Sequence, residues 1–397
     1  MPGRVKMSED TKLLVNLFLP FYAIHCSEHI YLVYGNVLKE YGLSPALTGW
    51  ILGIYFLMGM CARPLGGWLL ENIGVRRTLI WSGAMCFAGG AALFLTKSAP
   101  ILLAGRALSG AGFGIYTTGI FAHQAMSISE KMRGAGLSLL VTGGMLPMAT
   151  VTPLGEWFLL GSHEKIYLAM GPIISALCWY LGGRVKMPAA AERRGDGEKR
   201  WGTYRGLLTS RTFLILILTG IIIALVDAII VDVSMLAAEN GLAASYFLMS
   251  GSIAAVVVRV AGSSLINVLP RSVLLAPCGI VMSGSMILIS FLPSNGAFVA
   301  GGILYGVGIG AGWPMLHAIL SDTLEPALRP KGTAMALLFY DAGFFLTPLI
   351  VGYLSPAIGM AWALTAISLV SGAALAVLEI LYWIPLRRMK REGRPLN

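Results

Sequence analysis

Five residues near the start of the chain, His25-Cys26-Ser27-Glu28-His29, form its densest polar cluster. His25 and His29 are four apart and Glu28 is three after His25, so on a helix all three project to one face. The cluster lies inside an apolar run. There an ionisable group must be paired, face water or stay neutral. Three readings compete. In the first, Glu28 is the titrating group of a proton-coupled site, and the histidines relay protons or contact a ligand. In the second, the H-x-x-E-H spacing is that of an inverted zinc-protease motif, although zinc needs a third protein ligand and the sequence names none. In the third, the side chains are satisfied between helices and do no chemistry.

Other ionisable groups also sit inside apolar runs. Arg106 lies in Leu102-x3-Arg106-x3-Gly110-x-Gly112. An arginine within a span costs at least ~2.5 kcal/mol to insert, so it should face a partner or water. Asp227 falls in an Ile/Leu/Val run, and Asp232, one turn on, has the position of a helix-end cap. Asp341 follows Tyr340 and precedes Phe344, Phe345, Pro348 and Gly352. His123, Gln124 and His317 fall near the ends of their runs and suit gate or cap positions. Gly110, Gly112 and Gly114 form a G-x-G-x-G string, as do Gly306, Gly308 and Gly310. A nucleotide-binding fingerprint needs a preceding strand, and these strings sit within apolar runs. Small residues four apart on one helix face instead let a neighbouring backbone approach.

The elements that carry these groups follow from composition. The chain has 397 residues, 56% hydrophobic and 12% charged, with a mean hydropathy of +0.76. Soluble domains carry about 25% charge, so this is a membrane protein. Runs of roughly 20 residues, long enough to span as helices, occur near 13–35, 46–70, 78–96, 100–124, 135–160, 166–187, 212–235, 245–268, 272–292, 296–320, 333–354 and 360–385. These are spans one to twelve. The backbone must satisfy its own hydrogen bonds in lipid, and no ten-residue alternation suggests a barrel. The first run follows a polar start without a small-residue cleavage site and reads as a span, not a signal peptide.

Charge sets the orientation. Of 29 lysines and arginines, only Lys39, Lys97 and Lys165 fall in odd-numbered connections, and Arg63, Arg106 and Arg259 lie within spans. The rest lie in the even-numbered connections and both tails, which places both termini in the cytoplasm. The net charge of +10 is thereby explained without nucleic acid. All five cysteines, Cys26, Cys61, Cys86, Cys178 and Cys278, lie in apolar runs with no paired spacing and read as small core residues. The longest polar stretch, 187–211, divides the chain into an N-terminal bundle (1–186) and a C-terminal bundle (212–397) of six spans each. The halves repeat weakly at an offset of 196 residues. Arg63 corresponds to Arg259, and Gly110-x-Gly112-x-Gly114 to Gly306-x-Gly308-x-Gly310.

Between spans two and three stands Gly67-x3-Glu71-Asn72-x-Gly74-x-Arg76-Arg77, a polar turn between membrane-length segments. It resembles the loop 2–3 signature of the major facilitator superfamily, with Asn72 where a base is usual. The span-four string around Arg106 is similar to a second signature of that family. The resemblance implies that Arg106 faces the interior and is tied to proton coupling. It also implies that spans one, four, seven and ten line a central cavity, which favours Glu28 and Asp227, with Asp341 next. Drug–proton antiporters of the family often carry an acid in span one. Their exporters carry a G-P-x-x-G-G element in span five, which Pro153, Leu154 and Gly155 match in part, Glu156 following.

The expected fold is all-α and integral to the membrane, twelve transmembrane helices in two pseudo-symmetric six-helix bundles. The expected function is proton-coupled efflux of a small organic solute by alternating access. The candidate substrate and proton-coupling residues are His25, Glu28, His29, Arg106, Asp227, Tyr340 and Asp341. The gating residues are Gly67, Glu71, Gly74, Arg76, Arg77 and Glu130, with Glu71 against the start of span eleven and Arg76 or Arg77 paired with Glu130. Alternatives are an uptake permease, an exporter of a metal-chelating metabolite, and, from another class, an intramembrane metal-dependent enzyme. Transport requires no cofactor and no bound metal. The partners expected are the solute, protons and the lipid bilayer, with no nucleic acid, for a monomer in the cell membrane.

Overall fold

The computed structural model describes residues 9–127, 139–185, 208–261, 271–324 and 328–391, and all the regular structure among them is helical. Among the described residues eight helices are long and apolar enough to cross a membrane. The helical stretches together fall where the twelve apolar runs lie. Glu130 and most of the connecting stretch 187–211 lie outside the described residues. The five cysteines are free thiols.

The chain packs as two compact units. The first comprises Met1–Tyr31, Leu57–Pro147 and Trp157–Gly197, the second Leu32–Phe56, Met148–Glu156 and Glu198–Asn397. In the first unit helix Val75–Leu95 packs against both Ala99–Ser127 and Glu164–Arg184. The glycine string makes this possible. A Cβ on Gly112 would lie 2.7 Å from the Ser82 carbonyl, and one on Gly114 would strike the Gly59 carbonyl. In the second unit Ser245–Ala261 packs against Asn295–Thr323 in the same way. A Cβ on Gly306 would strike the Gly251 carbonyl, and one on Gly310 would lie 2.9 Å from Ala255 Cα. Both strings are therefore close-packing faces, where removal of the side chain brings backbones together.

The polar turn after span two is shorter than the sequence suggests. Helix Pro45–Ile73 runs through Glu71 and Asn72, and Val75–Leu95 begins after Gly74 alone. Gly74 has φ +80°, a conformation open to glycine at little cost, so one residue suffices to reverse the chain. Asn72 Nδ2 donates to the Trp68 carbonyl at 2.8 Å and stays within the helix.

Spans one and seven share an interruption that hydropathy does not reveal. Helix Glu9–His29 passes into a 3-10 turn, Ile30–Val33, before Tyr34–Glu40. Helix Arg211–Asp227 passes into Ala228–Val231 before Val233–Glu239. Mid-helix 3-10 turns often mark hinges. The first break carries the boundary between the two units, between Tyr31 and Leu32. Another boundary, between Pro147 and Met148, lies in the 3-10 turn Leu146–Ala149.

In the second unit the segments beyond these breaks pack on one another. Ser234 Oγ donates to the Leu32 carbonyl at 2.9 Å, and Asn36 Nδ2 donates to the Ser234 carbonyl at 3.2 Å. Lys39 pairs with Glu239 at 3.5 Å. Nearby, Pro45–Phe56 of span two meets Arg329–Ile358 of span eleven. A Cβ on Gly53 would lie 2.7 Å from the Phe345 carbonyl, and one on Gly352 would lie 2.5 Å from that of Pro45.

Candidate functional site: buried charges at the helix breaks

In the first unit the span-one cluster sits on the last turn before the break. Two local bonds orient its imidazoles. His25 Nδ1–H donates to the Phe21 carbonyl and His29 Nδ1–H to the His25 carbonyl, each at 2.9 Å. Both are i to i−4 bonds, so they hold each ring against its own helix. With Nδ1 bonded as a donor, a neutral ring presents Nε2 as its acceptor. His25 is wedged between Phe21, with ring centroids 4.2 Å apart, and Phe113, at 5.2 Å. A Cβ on Gly144 would come within 3.2 Å of His25 Nε2. Glu28 lies 3.6 Å from His29 Nδ1, and the side chains of the pair are 14% and 11% exposed. The carboxylate is thus neither sealed away nor freely solvated.

Arg106 is buried, with its guanidinium 5.2 Å from the ring centroid of Tyr31. Tyr31 lies in the 3-10 turn three residues after Glu28. A cation over a tyrosine face is attracted by the ring quadrupole, more so where water is excluded. Tyr31 is thus one interior partner of this arginine. Arg63 donates from Nη1 to Thr117 Oγ1 at 3.2 Å, and Arg63 lies within electrostatic reach of His25. Among the described residues no group of three His, Cys, Asp or Glu side chains is arranged to hold a metal ion.

In the second unit Asp227 is the last residue before the corresponding break and is buried. The Tyr305 hydroxyl donates to Asp227 Oδ1. Arg259, also buried, interacts with the same carboxylate electrostatically. Tyr305 immediately precedes the close-packed Gly306, and Arg259 lies near the end of Ser245–Ala261. Sequence reasoning named Asp227 and the repeat position of Arg259 but missed Tyr305. The signal available was its place beside the glycine string.

Tyr340 and Asp341 are half-buried. The Tyr340 ring stacks near Trp313, centroids 4.1 Å apart, and near Phe344 at 5.3 Å. Trp313 in turn meets His317 at 4.5 Å, and Phe344 meets Phe56 at 4.9 Å. This aromatic group is a second feature that individual motifs did not show. The residues that form it are scattered over spans two, ten and eleven.

Of the gating residues, Arg76 and Arg77 are exposed. Gly67 has open space where a Cβ would stand, so its smallness is not demanded by a packed neighbour. Glu71 lies in the last turn of its helix. Asp232 does not act as the cap that its position suggested. It precedes Val233–Glu239 but makes no side-chain capping bond. Conversely Glu156, noted only as a residue following Gly155, caps another helix. Its carboxylate accepts backbone N–H bonds from Ala244 at 2.6 Å and Ser245 at 2.7 Å, and the Ser245 hydroxyl.

Comparison with known proteins accords with this architecture. The sequence profile of the Major Facilitator Superfamily matches residues 15–292 and 241–395. A 3-(3-hydroxy-phenyl)propionate transporter of Escherichia coli (strain K12) is 26% identical over 121 residues, a match that spans 30% of this chain and 30% of that protein. The crystal structure of the human organic anion transporter MFSD10 (TETRAN) superposes with a TM-score of 0.68 at 14% identity, covering 93% of this chain and 100% of the other. It shares the fold. With the profile matched over nearly its whole length and buried charges on a helical membrane core, the chain belongs to the major facilitator superfamily of membrane transporters.

Proposed function

We propose that this transporter exports a small organic solute in exchange for protons, with Glu28 as the proton carrier. The supporting observation is the difference between the two buried carboxylates. Asp227 is held by the Tyr305 hydroxyl and faces a fixed positive charge from Arg259. A carboxylate so held is tied to partners on two other helices. Glu28 lies 3.6 Å from the His29 imidazole and is partly exposed. Of the two carboxylates it is the one open to an exchanging proton. Arg106 over Tyr31 then fixes the turn that follows Glu28.

Alternating access in this reading is a rocking of the halves 1–186 and 212–397, joined by 187–211, with the 3-10 turns of spans one and seven as the flexing points. The protein resides in the cell membrane as a monomer with both termini in the cytoplasm. Gly67, Glu71, Gly74, Arg76, Arg77 and Glu130 form the cytoplasmic gate. Reconstitution in proteoliposomes with an imposed pH gradient tests the coupling. Solute should accumulate against its gradient only when the face opposite the tails is acidic, with proton movement in step. Flux indifferent to the pH gradient would remove proton coupling from the account.

A second reading is uptake of an aromatic acid. It is favoured by the partial identity to the hydroxyphenylpropionate transporter and by the aromatic group of Trp313, Tyr340 and Phe344. Reversal of the imposed gradient separates the two, since symport and exchange respond with opposite signs.

A further inference from the structure

The second unit contains a cavity of about 320 Å³ whose lining includes Lys39, Thr48, Asp232, Glu239 and Ser355. Lys39 and Glu239 are exposed and form its mouth, with a 3.5 Å ion pair between them. Asp232 is fully buried and forms its floor. Neither oxygen of Asp232 has a hydrogen-bond partner among the described residues. The side chain also makes no capping bond to the helix it precedes. Thr48, itself buried, adds a hydroxyl to the lining.

A buried carboxylate with neither oxygen satisfied is costly and must be compensated by a proton or a cation. The cavity beside it offers room for a cation. Of its charged lining, Lys39 and Glu239 offset one another at the mouth, which leaves Asp232 as the group to compensate. Its walls are otherwise apolar, with Pro348, Val351 and Met360 among them. Liquid water occupies about 30 Å³ per molecule, so the space far exceeds one metal ion and suits a body of roughly ten non-hydrogen atoms. Apolar walls with a single charged floor also describe small-molecule sites generally.

We propose that this cavity binds a small organic ammonium ion, its charged group on Asp232 and its apolar body against Pro348, Val351 and Met360. The site includes none of the proton-coupling residues and does not depend on the direction of transport. Because helix Tyr34–Glu40 and spans two, seven and eleven all contribute to the lining, a bound amine holds these segments together. It therefore stabilises this packing and slows the transport cycle.

Binding of benzylamine to the purified full-length protein, in sodium-free buffer near neutral pH, tests the proposal by calorimetry and thermal unfolding. Benzyl alcohol serves as the neutral isostere and sodium chloride as the inorganic cation. Saturable binding of benzylamine is expected, with a raised Tm and little effect of benzyl alcohol. Asp232→Asn should weaken binding about tenfold or more, the loss of roughly 1.4 kcal/mol or more. Should that variant fail to fold, Ser355→Phe fills the cavity from a partly exposed position and should abolish binding while the protein remains folded. Equal binding of benzyl alcohol, or benzylamine binding unchanged by both variants, overturns the proposal. A shift with sodium alone that is lost in Asp232→Asn reassigns the floor to an inorganic cation and also overturns it. No binding of either cation leaves Asp232 compensated by a proton, with the same consequence.

Discussion

The Glu156 carboxylate accepts the backbone N–H of Ala244 at 2.6 Å, 88 residues along the chain. With the Ser245 N–H at 2.7 Å, it holds the first turn of Ser245–Ala261 by a charge where the helix dipole favours an anion. This joins span five to span eight across the sequence repeat. Charge-assisted bonds of this kind contribute about 1.5–3 kcal/mol. Glu156→Ala should lower thermal stability by an amount of that order, and Glu156→Gln by less. If the clasp also opens during transport, both variants should expose a cysteine placed at Ala244 to a membrane-impermeant thiol reagent. An unchanged Tm in Glu156→Ala would show that the contact contributes nothing.

Glu28→Gln should abolish gradient-driven transport and leave the protein folded, since a neutral amide of the same shape can still contact His29 but cannot carry a proton. His25→Ala with His29→Ala should alter solute affinity more than coupling. The ratio of protons to solute, measured in proteoliposomes with a pH-sensitive dye, separates these effects. Undiminished gradient-driven flux in Glu28→Gln would move the carrier role to Asp227.

Arg259 and Asp227 should behave as a compensated pair. Arg259→Met leaves the buried Asp227 carboxylate without its cation, a change worth on the order of 3–5 kcal/mol where a buried pair is broken. Expression and Tm should fall sharply. Asp227→Asn in the same chain should restore much of the loss, because no unpaired charge then remains. A double variant no more stable than Arg259→Met would mean that Arg259 acts through other contacts.

Gly53 and Gly352 let spans two and eleven meet, and a side chain at either would strike a carbonyl. Gly53→Val should cost about 1–3 kcal/mol through overpacking. It should also weaken the packing of Pro45–Phe56 on Arg329–Ile358. Faster labelling of a cysteine placed at Thr48, buried in the parent, reports the opening. Labelling at the parent rate with an unchanged Tm would show that the helices can separate to admit the side chain without consequence.

The residues differ in how far one dimension could reveal them. Spanning segments were legible because hydropathy over about 20 residues is a local sum, and the basic connections because charge bias is read loop by loop. The two glycine strings were legible as packing faces because helical spacing alone puts Gly110 and Gly114, or Gly306 and Gly310, on one side. The four-residue spacing of His25 and His29 accords with their rings lying 6.2 Å apart, whereas the Glu28–His29 contact is one between chain neighbours.

What the tertiary structure decided was partnership. Nothing in the local pattern around Glu156 points to Ala244, and nothing around Asp227 points to Tyr305. Each partner is brought up by a different helix whose rotation and depth depend on packing. The 3-10 breaks after His29 and Asp227 were hidden because both helical forms carry the same apolar residues. Asp232 shows the converse. Its position near the end of the span-seven run suggested a helix-end cap, but the chain continues there into a further helix with φ −102° and ψ −11°, and the side chain makes no capping bond. Its carboxylate is left buried and unbonded beside a cavity. Hydropathy and spacing determine which segments cross the membrane and which side chains share a face. Which buried charges are compensated, and by what, is settled only when distant helices meet.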